Sequence, residues 1–236
     1  MVSVWVTGDV HGSIDVGKLS GRNWPEGRDL TRDDLVVVCG DFGMPWDGSN
    51  EERYWLDWLA ARPWTTLFVD GNHECFPYLA DLPVTERWGG RVQEYPEWPG
   101  IVHLMRGEVY ELGGLRTLAM GGASSHDREW RVEGWSWFPE ELPSREELEH
   151  AERNLDAVGW SVDLVVSHCC SSRLLPAALA AARVAGGRDG RDRLNEWFDA
   201  LEDRLDFRGW YFGHYHADAQ LDERHRLLYR DIVQVT

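Results

Sequence analysis

Val2-Ser3-Val4-Trp5-Val6-Thr7-Gly8-Asp9-Val10-His11-Gly12 is the stretch of sequence on which the prediction of the fold rests. β-Branched and aromatic residues fill positions 2–7, which predicts a β-strand. The strand leads into a loop where two glycines allow sharp turns, and where Asp9 and His11 offer an oxygen and a nitrogen to a metal ion. The same Asp-x-His pattern is also typical of an Asx-turn followed by a surface histidine. The rest of the chain has to decide between these two interpretations.

Four further turns of similar chemistry follow short apolar runs later in the chain. They are Gly40-Asp41 after 35–39, Gly71-Asn72-His73-Glu74 after 65–70, Ser167-His168 after 162–166, and Gly213-His214-Tyr215-His216 after 210–212. Apolar runs of this length predict strands that are covered on both faces. Asp9, Asp41 and Asn72 are 32 and 31 residues apart, which is the length of one βαβ unit each. We therefore expect three parallel strands of an α/β fold to end side by side.

Helices are predicted at several places between these strands. The spacing of apolar residues over 50–61 predicts a helix with Asn50 as its N-cap. Ser144 and Glu147 form a capping-box pair, which predicts another helix that ends near residue 158. Two more helical segments are expected within 173–206, joined by a flexible glycine-rich connection at 186–190.

A second sheet and a long loop are predicted in the later half of the chain. Strand-like runs at 102–106, 109–112 and 115–120 predict a meander that continues into a second sheet, and residues 226–235 are expected to complete that sheet. The intervening loop covers 121–143. A long ordered loop in a compact domain is often functional.

Composition limits the class of protein. With 236 residues, 43% of them hydrophobic, and 14 tryptophans, the chain has enough apolar material for one sizeable core, and we expect a single domain over 1–236. The formal net charge of −17 opposes binding of long nucleic acids and of anionic membranes. The sequence has no signal-like N-terminus, no run of membrane-spanning length and no paired cysteine spacing. We therefore expect a cytoplasmic protein with free thiols and no membrane partner.

Seven side chains of metal-ligand type each lie at the exit of a predicted strand: Asp9, His11, Asp41, Asn72, His168, His214 and His216. Two neighbouring metal ions need a shared carboxylate, and Asp41, which is central in this order, is the expected bridge. Asp9, His11 and His216 then complete one metal, and Asn72, His168 and His214 complete the other. Imidazole and carboxylate donors favour Mn, Fe or Zn over Ca or Mg, so we expect two divalent metal ions, with manganese preferred. The cations would supply the positive charge that an acidic protein needs to bind an anionic substrate.

The five motifs, in this order and over nearly the whole chain, resemble those of the calcineurin-like metallophosphoesterase superfamily. The resemblance implies an α/β (α+β) fold, a four-layer αββα sandwich with two mixed β-sheets and a dinuclear site at the strand ends. It also implies a metal-dependent phosphoric ester hydrolase, in which a hydroxide that bridges the metals attacks phosphorus in line. His73 corresponds to the family histidine that protonates the leaving oxygen or steadies the phosphoryl group. Asp41 contributes charge as well as bridging, and Asp70 and Glu74 flank His73 as candidates to orient it.

The second motif departs from one branch of this superfamily. Phosphoprotein phosphatases continue it into Asp-Arg-Gly, whereas this chain has Asp41-Phe42-Gly43-Met44-Pro45, so a protein Ser/Thr phosphatase is disfavoured. The 121–143 loop offers substitutes for the missing arginine: Arg128 or Arg131 can bind a substrate phosphate, and His126 can reach the mouth of the site. Both arginines are equally typical of surface salt bridges. The tryptophans of the loop suit either nucleobase stacking or ordinary packing, and packing is the commoner role in a tryptophan-rich chain.

These observations predict a phosphatase or phosphodiesterase that hydrolyses a phosphomonoester or phosphodiester of a small, nucleotide-like substrate. A nuclease of the same superfamily is a second interpretation, and the net charge argues against it for long polymers. A third interpretation is a non-catalytic scaffold that uses the fold to bind other proteins. The presence of His73 and of every ligand-type residue disfavours the scaffold.

Overall fold

A computed structural model describes residues 2–183 and 191–236 of the chain. In these ranges seven strands form a first sheet: β1 (Val4–Thr7), β2 (Leu35–Cys39), β3 (Thr65–Val69), β4 (Val84–Arg87), β5 (Gly90–Glu94), β6 (Ile101–Leu104) and β13 (Ile232–Gln234). Six further strands form a second sheet: β7 (Val109–Leu112), β8 (Leu115–Met120), β9 (Leu164–Ser167), β10 (Gly209–Phe212), β11 (Ala219–Gln220) and β12 (His225–Leu227). The described α-helices are α1 (Asn50–Ala60), α2 (Phe76–Asp81), α3 (Arg145–Ala157), α4 (Leu175–Ala181) and α5 (Arg193–Glu202), and short 3-10 helices occur at Val16–Leu19, Pro25–Asp29, Arg128–Trp130 and Pro139–Glu141.

Both sheets are mixed. The first has the order β13-β1-β2-β3-β6-β5-β4, in which β1, β2, β3 and β6 are parallel and the outer pairings are antiparallel. The second has the order β11-β12-β10-β9-β8-β7, in which β12, β10, β9 and β8 are parallel. The parallel strands of each sheet bring their carboxyl ends to one edge, as the spacing of the motifs predicts.

Three layers of apolar side chains lie between the two sheets and between each sheet and its helices. Val6, Val37, Leu67, Tyr110 and Val166 belong to a buried core that joins the inner faces of the two sheets. A second core packs α1 and α2 on the outer face of the first sheet, and a third packs α3, α4 and α5 on the outer face of the second. Since helices cover both outer faces, the architecture is the four-layer αββα sandwich, and the predicted fold class is confirmed.

Most predicted helices and strands are confirmed. The first residues of the helices were harder to predict, because neighbouring residues can both serve as N-cap. The capping box of Ser144 and Glu147 forms as predicted at the start of α3. The prediction of Asn50 as the N-cap of α1 is wrong, because Ser49 takes that place and its hydroxyl accepts a hydrogen bond from the Glu52 amide at 3.3 Å. The predicted connection at 186–190 lies outside the described residues.

The prediction that 226–235 completes the second sheet is wrong for its last part. Residues 225–227 form β12 in the second sheet, but β13 crosses to the first sheet and pairs antiparallel with β1. The reason is a turn held by Asp218, whose carboxylate accepts hydrogen bonds from the amides of Tyr229, Arg230 and Asp231. Of the run predicted at 102–106, residues 102–104 belong to β6 of the first sheet rather than to the second sheet, and residues 105–106 are not in a strand.

The described helices are all too short or too polar to cross a lipid bilayer. The longest of them, α3, has 13 residues and carries several charged side chains.

Asp34 anchors the entry into the first sheet. Its carboxylate accepts hydrogen bonds from the amide and hydroxyl of Ser3 at 2.7 and 2.6 Å and from those of Thr31 at 2.7 and 2.9 Å. Burial alone would raise the pKa of Asp34, but these four hydrogen bonds outweigh burial and lower the pKa to about 2. The ionised carboxylate therefore ties the start of β1 to the start of β2.

We predict that Asp34→Asn lowers the free energy of unfolding at pH 7 by about 1–3 kcal/mol, because two amide and two hydroxyl donors lose a charged acceptor. The pKa of Asp34 is lower in the folded chain than in the unfolded chain, so this contribution is present above pH 4 and is lost as the pH falls towards 2. Urea titrations at pH 7, 5 and 3 measure it. The neighbouring exposed Asp33→Asn is the control, and an equal effect of both variants at pH 7 would contradict the anchor.

Candidate metal centre

The strand exits of both sheets meet at one place and bring the predicted ligand residues together. Ligand atoms of Asp9, His11, Asp41 and His216 lie within 4.8 Å of one another, as do those of a second group formed by Asp41, His168 and His214. Asp41 belongs to both groups. This arrangement has the form that a pair of metal ions with a shared carboxylate requires.

Asp41, which belongs to both ligand groups, also lies between them. Its Oδ2 lies 3.3 Å from Nε2 of His11, and its Oδ1 lies 3.2 Å from Nε2 of His168. The side chain is 1% exposed, and the His73 amide donates a hydrogen bond to Oδ1 at 2.7 Å. One carboxylate thus faces both groups with a different oxygen.

Asn72 joins the second group through its side-chain oxygen. Oδ1 of Asn72 lies 3.2 Å from Nε2 of His168, while its Nδ2 donates a hydrogen bond to the hydroxyl of Ser125 at 3.2 Å. Ser125 in turn donates to Oε2 of Glu141 at 2.6 Å. This chain of hydrogen bonds sets the amide so that its oxygen, the atom that ligates metals, faces the site. Ser125 and Glu141 belong to the 121–143 loop, and sequence reasoning missed both.

The histidines are oriented by partners on their far side. Nδ1 of His168 donates to the carbonyl of Cys39 at 2.7 Å, which leaves Nε2 for the site. Nδ1 of His11 lies 3.1 Å from Oδ2 of Asp15, and the hydroxyl of Tyr229 donates to the same carboxylate at 3.1 Å. A carboxylate behind a ligating imidazole is the usual support of a metal ligand. Asp15 follows His11 by four residues and was a readable signal, whereas Tyr229 comes from a distant segment with no local signal.

His216 completes the first group at the solvent edge. Its side chain is half exposed, its Nε2 lies 3.1 Å from Oδ2 of Asp9, and its ring stacks on Tyr229 with centroids 4.9 Å apart. Asp9 itself is fully buried and accepts a hydrogen bond from the His214 amide at 2.9 Å. The opening motif and the last motif of the chain are therefore in direct contact.

Four of the candidate ligands have a backbone conformation that non-glycine residues rarely adopt. The φ angles are 47° for His11, 48° for Asp41, 69° for His214 and 50° for His216. Such left-handed residues cost of order 1 kcal/mol or more each and concentrate at functional sites. Backbone contacts hold two of these turns together, since the amides of Val10 and His11 both donate to the carbonyl of Asp41 at 3.0 and 2.8 Å.

The glycines of the motifs make room for the ligands. A Cβ added at Gly71 would lie 2.1 Å from Oδ1 of Asp41, one at Gly213 would lie 2.0 Å from Oδ1 of Asp9, and one at Gly40 would lie 2.1 Å from Nδ1 of His168. These contacts are far shorter than any real carbon contact. The glycines are therefore required by the close approach of the neighbouring ligand to the backbone.

The electrostatics of the centre fit a divalent cation. Burial would lower the pKa of His11, but the hydrogen bond to Asp41 and the charges of Asp41 and Asp9 raise that pKa to about 9. Against burial, the same carboxylates raise the pKa of His168 to about 10. Burial and the neighbouring His168 hold the pKa of His214 well below its usual range, so its imidazole is neutral, whereas a metal ion bound at His11 or His168 would displace a proton. The carboxylates' preference for positive charge at both imidazoles and the set of oxygen and nitrogen donors both suit a divalent cation.

Lys18, the single lysine of the sequence, supports the site from behind. Its ammonium group donates hydrogen bonds to the carbonyls of Gly8, Asp9 and Tyr229 at 2.8, 2.8 and 2.6 Å. Burial lowers its pKa to about 8. Sequence reasoning assigned no role to this residue, which ties the opening motif to the C-terminal segment.

His73 lies beside the centre together with Arg131. The two terminal nitrogens of the Arg131 guanidinium are 3.2 and 3.1 Å from Nδ1 and Nε2 of the imidazole, and Nε of Arg131 donates to Asp127 at 2.6 Å. Burial lowers the pKa of His73, and the charge of Arg131 lowers it further, against the opposing charge of Asp41. His73 is therefore neutral near pH 7 and has one N–H to donate.

The remaining predicted residues divide between the site and other places. The ring of His126 lies 4.9 Å from that of His214, so this residue reaches the site. Arg128 instead stacks on Trp137, with its guanidinium carbon 3.8 Å from the ring centroid. Two flanking residues considered for orienting His73 have other partners: Asp70 pairs with Arg106 and His103, and Glu74 accepts hydrogen bonds from the amides of Phe42 and Gly43.

A two-sheet αββα sandwich with an Asp/His centre at the strand exits defines a metallophosphoesterase type of protein. The chain belongs to the calcineurin-like phosphoesterase family, whose model matches residues 2–218. The resemblance seen in the five motifs is thereby confirmed.

Individual relatives carry the same name in three organisms. The chain is 25% identical over 187 residues to the lariat debranching enzyme of Danio rerio and 26% identical over 218 residues to that of Drosophila melanogaster. These matches cover 71% and 79% of this chain but 31% and 38% of the relatives. A shorter match, 35% identical over 86 residues, joins it to the lariat debranching enzyme of Schizosaccharomyces pombe and covers 36% of this chain and 14% of the relative. The chain thus spans about a third of the length of the first two relatives.

We predict that Gly213→Ala removes bound divalent metal and lowers the free energy of unfolding by about 1–3 kcal/mol, because the new methyl group would displace the carboxylate of Asp9. Elemental analysis of the purified variant and urea unfolding measure the two effects. Gly17→Ala is the matched control, since a Cβ there meets no atom within 4 Å. Full metal content in Gly213→Ala would contradict the role given to this glycine.

Proposed function

We propose that this protein is a metal-dependent phosphoesterase that cleaves a phosphodiester of a small, nucleotide-like substrate. The observation that carries the proposal is the pair of ligand groups that share Asp41 at the strand exits. Membership of the calcineurin-like phosphoesterase family supports the reaction class. The relatives are named lariat debranching enzymes, and this name favours a phosphodiester over a phosphomonoester. A formal net charge of −17 supports a short substrate rather than a long polymer.

The proposed ligands follow the two groups. Asp9, His11 and His216 would hold one ion, Asn72, His168 and His214 would hold the other, and Asp41 would contact both. We propose manganese as the preferred ion. Two divalent cations supply a Lewis acid for a phosphoryl oxygen and lower the pKa of water at neutral pH.

The chain itself supplies positioning and hydrogen bonds around the phosphate. His73 is held beside Asp41 by its own amide, and its neutral imidazole has an N–H to donate to a phosphoryl oxygen. Arg131, which lies against His73, adds a fixed positive charge in a protein with few cations near the site. We assign His73 to stabilisation of the phosphoryl group, which is one of the two roles that the family resemblance implies.

We also propose one domain over 1–236 and a cytoplasmic location. The single domain is supported by the first sheet, in which β13 from the end of the chain pairs with β1 from its start. The location is supported by Cys39, Cys75, Cys169 and Cys170, which are free thiols as in reducing compartments.

We predict that chelation abolishes hydrolysis of bis(p-nitrophenyl) phosphate, that added Mn²⁺ restores it, and that Asp41→Asn lowers kcat/KM by at least about 100-fold. The reason is that Asp41 faces both ligand groups. Release of p-nitrophenolate and elemental analysis measure activity and bound metal. The exposed Asp81→Asn is the control, and full activity of Asp41→Asn would contradict the shared carboxylate.

We predict that His73→Asn lowers kcat by about 100-fold or more while bound metal stays unchanged, because a phosphoryl oxygen loses its hydrogen bond. Two phosphodiesters, one with p-nitrophenol and one with an alkyl alcohol as leaving group, should lose activity equally. A loss confined to the alkyl substrate would assign His73 to protonation of the leaving oxygen instead.

A further inference from the structure

Two exposed tryptophans stand out in a chain that buries or half-buries its other indoles. All 14 tryptophans lie within the described residues, and Trp130 and Trp135 have 82% and 72% of their surface exposed. Val132 between them is 62% exposed. An indole left in water forgoes a large hydrophobic gain, and clustered exposed apolar groups mark binding surfaces. We call residues 130–135 the tryptophan tip.

The base of the loop is packed, so the tryptophan tip is held in place. Trp137 is 6% exposed and lies under Arg128, and Phe138 packs against the rings of Trp46 and Phe76 at 5.9 and 6.1 Å. Within the tip, the carbonyl of Val132 accepts hydrogen bonds from the amides of 135, 136 and 137. The backbone that carries the two indoles is therefore fixed before any ligand arrives, which reduces the entropic cost of binding.

The residue between the two tryptophans points at the candidate metal centre. Arg131 follows Trp130 directly, and its guanidinium contacts both ring nitrogens of His73. One short segment thus presents a cation to the site and aromatic faces to the solvent beside it. A ligand that has a phosphate at the site and flat rings next to that phosphate matches this arrangement.

We propose that the tryptophan tip is a nucleobase-stacking surface and that the substrate is a short single-stranded oligonucleotide, whose phosphate Arg131 contacts. The proposal rests on the proposed phosphodiesterase function and adds the substrate class. With a net charge of −17, the protein as a whole repels a polyanion, so affinity has to come from a local source. Stacking on an indole supplies such affinity for any base sequence.

The test compares a hexamer of thymidylate with an abasic hexamer of the same backbone, both carrying the same 3′ fluorescent label and hydrolysis-resistant phosphorothioate linkages. Fluorescence anisotropy with the metal-loaded 236-residue chain measures the two dissociation constants without turnover. We expect the wild type to bind the thymidylate hexamer about tenfold or more tightly than the abasic one, and the Trp130→Ala/Trp135→Ala variant to lose this preference. Tyr54→Ala, which removes another exposed aromatic ring from α1, should keep it.

Equal binding of the two hexamers by the wild type would overturn the proposal, as would a preference retained by the double variant. Analytical sedimentation of the wild type and the double variant tests the alternative that the tryptophan tip binds a second copy of the chain. A wild type that dimerises, with a monomeric double variant and no base preference, would assign the tip to self-association and overturn the proposal. Hydrolysis of methyl p-nitrophenyl phosphate by the wild type is measured separately, so absence of activity would reject the phosphodiesterase function independently of the stacking result.

Discussion

The buried negative charge of Asp9 and Asp41 is the constraint on which the site depends. Both carboxylates are almost completely excluded from water, where an uncompensated charge would be very costly. Amides of His214 and His73 donate to them, and imidazoles surround them on the remaining sides. The raised pKa values of His11 and His168 show that these carboxylates favour positive charge at both imidazoles, a demand that a bound cation would also meet. Cations bound at this centre would therefore be stabilised by the same carboxylates.

That demand explains why the strand exits are built as they are. The candidate ligand side chains approach the backbone of neighbouring turns closely, so the positions they touch are glycines, and several of these candidate residues take left-handed φ angles. The sheets offset the free-energy cost of this backbone strain, because three apolar layers bury their parallel strands on both faces. The fold and the centre are therefore two parts of one arrangement, in which rigid strands hold strained loops.

The sequence predicted what depends on repeated local patterns. Apolar runs followed by glycine turns gave the parallel strands, and the βαβ spacing placed Asp9, Asp41 and Asn72 together. Contacts between distant segments had no such signal: Tyr229 behind Asp15, Ser125 and Glu141 behind Asn72, and Lys18 behind Asp9. The β4–β5 hairpin was missed because β4 is mostly exposed and polar, and β13 was placed in the wrong sheet because the Asp218 turn redirects it. Asn50 and Ser49 are both good N-caps, and composition alone does not rank them.

The contact between His216 and Asp9 has a consequence for how the protein acquires its metal. These two residues are separated by more than two hundred positions, and Lys18 and Tyr229 link the same two ends of the chain. During synthesis the first motif leaves the ribosome long before its partner exists, so a nascent chain offers at most an incomplete set of donors. The full set of candidate donors therefore exists only once His216 has been synthesised, and the two ends of the chain must come together before the first group is complete.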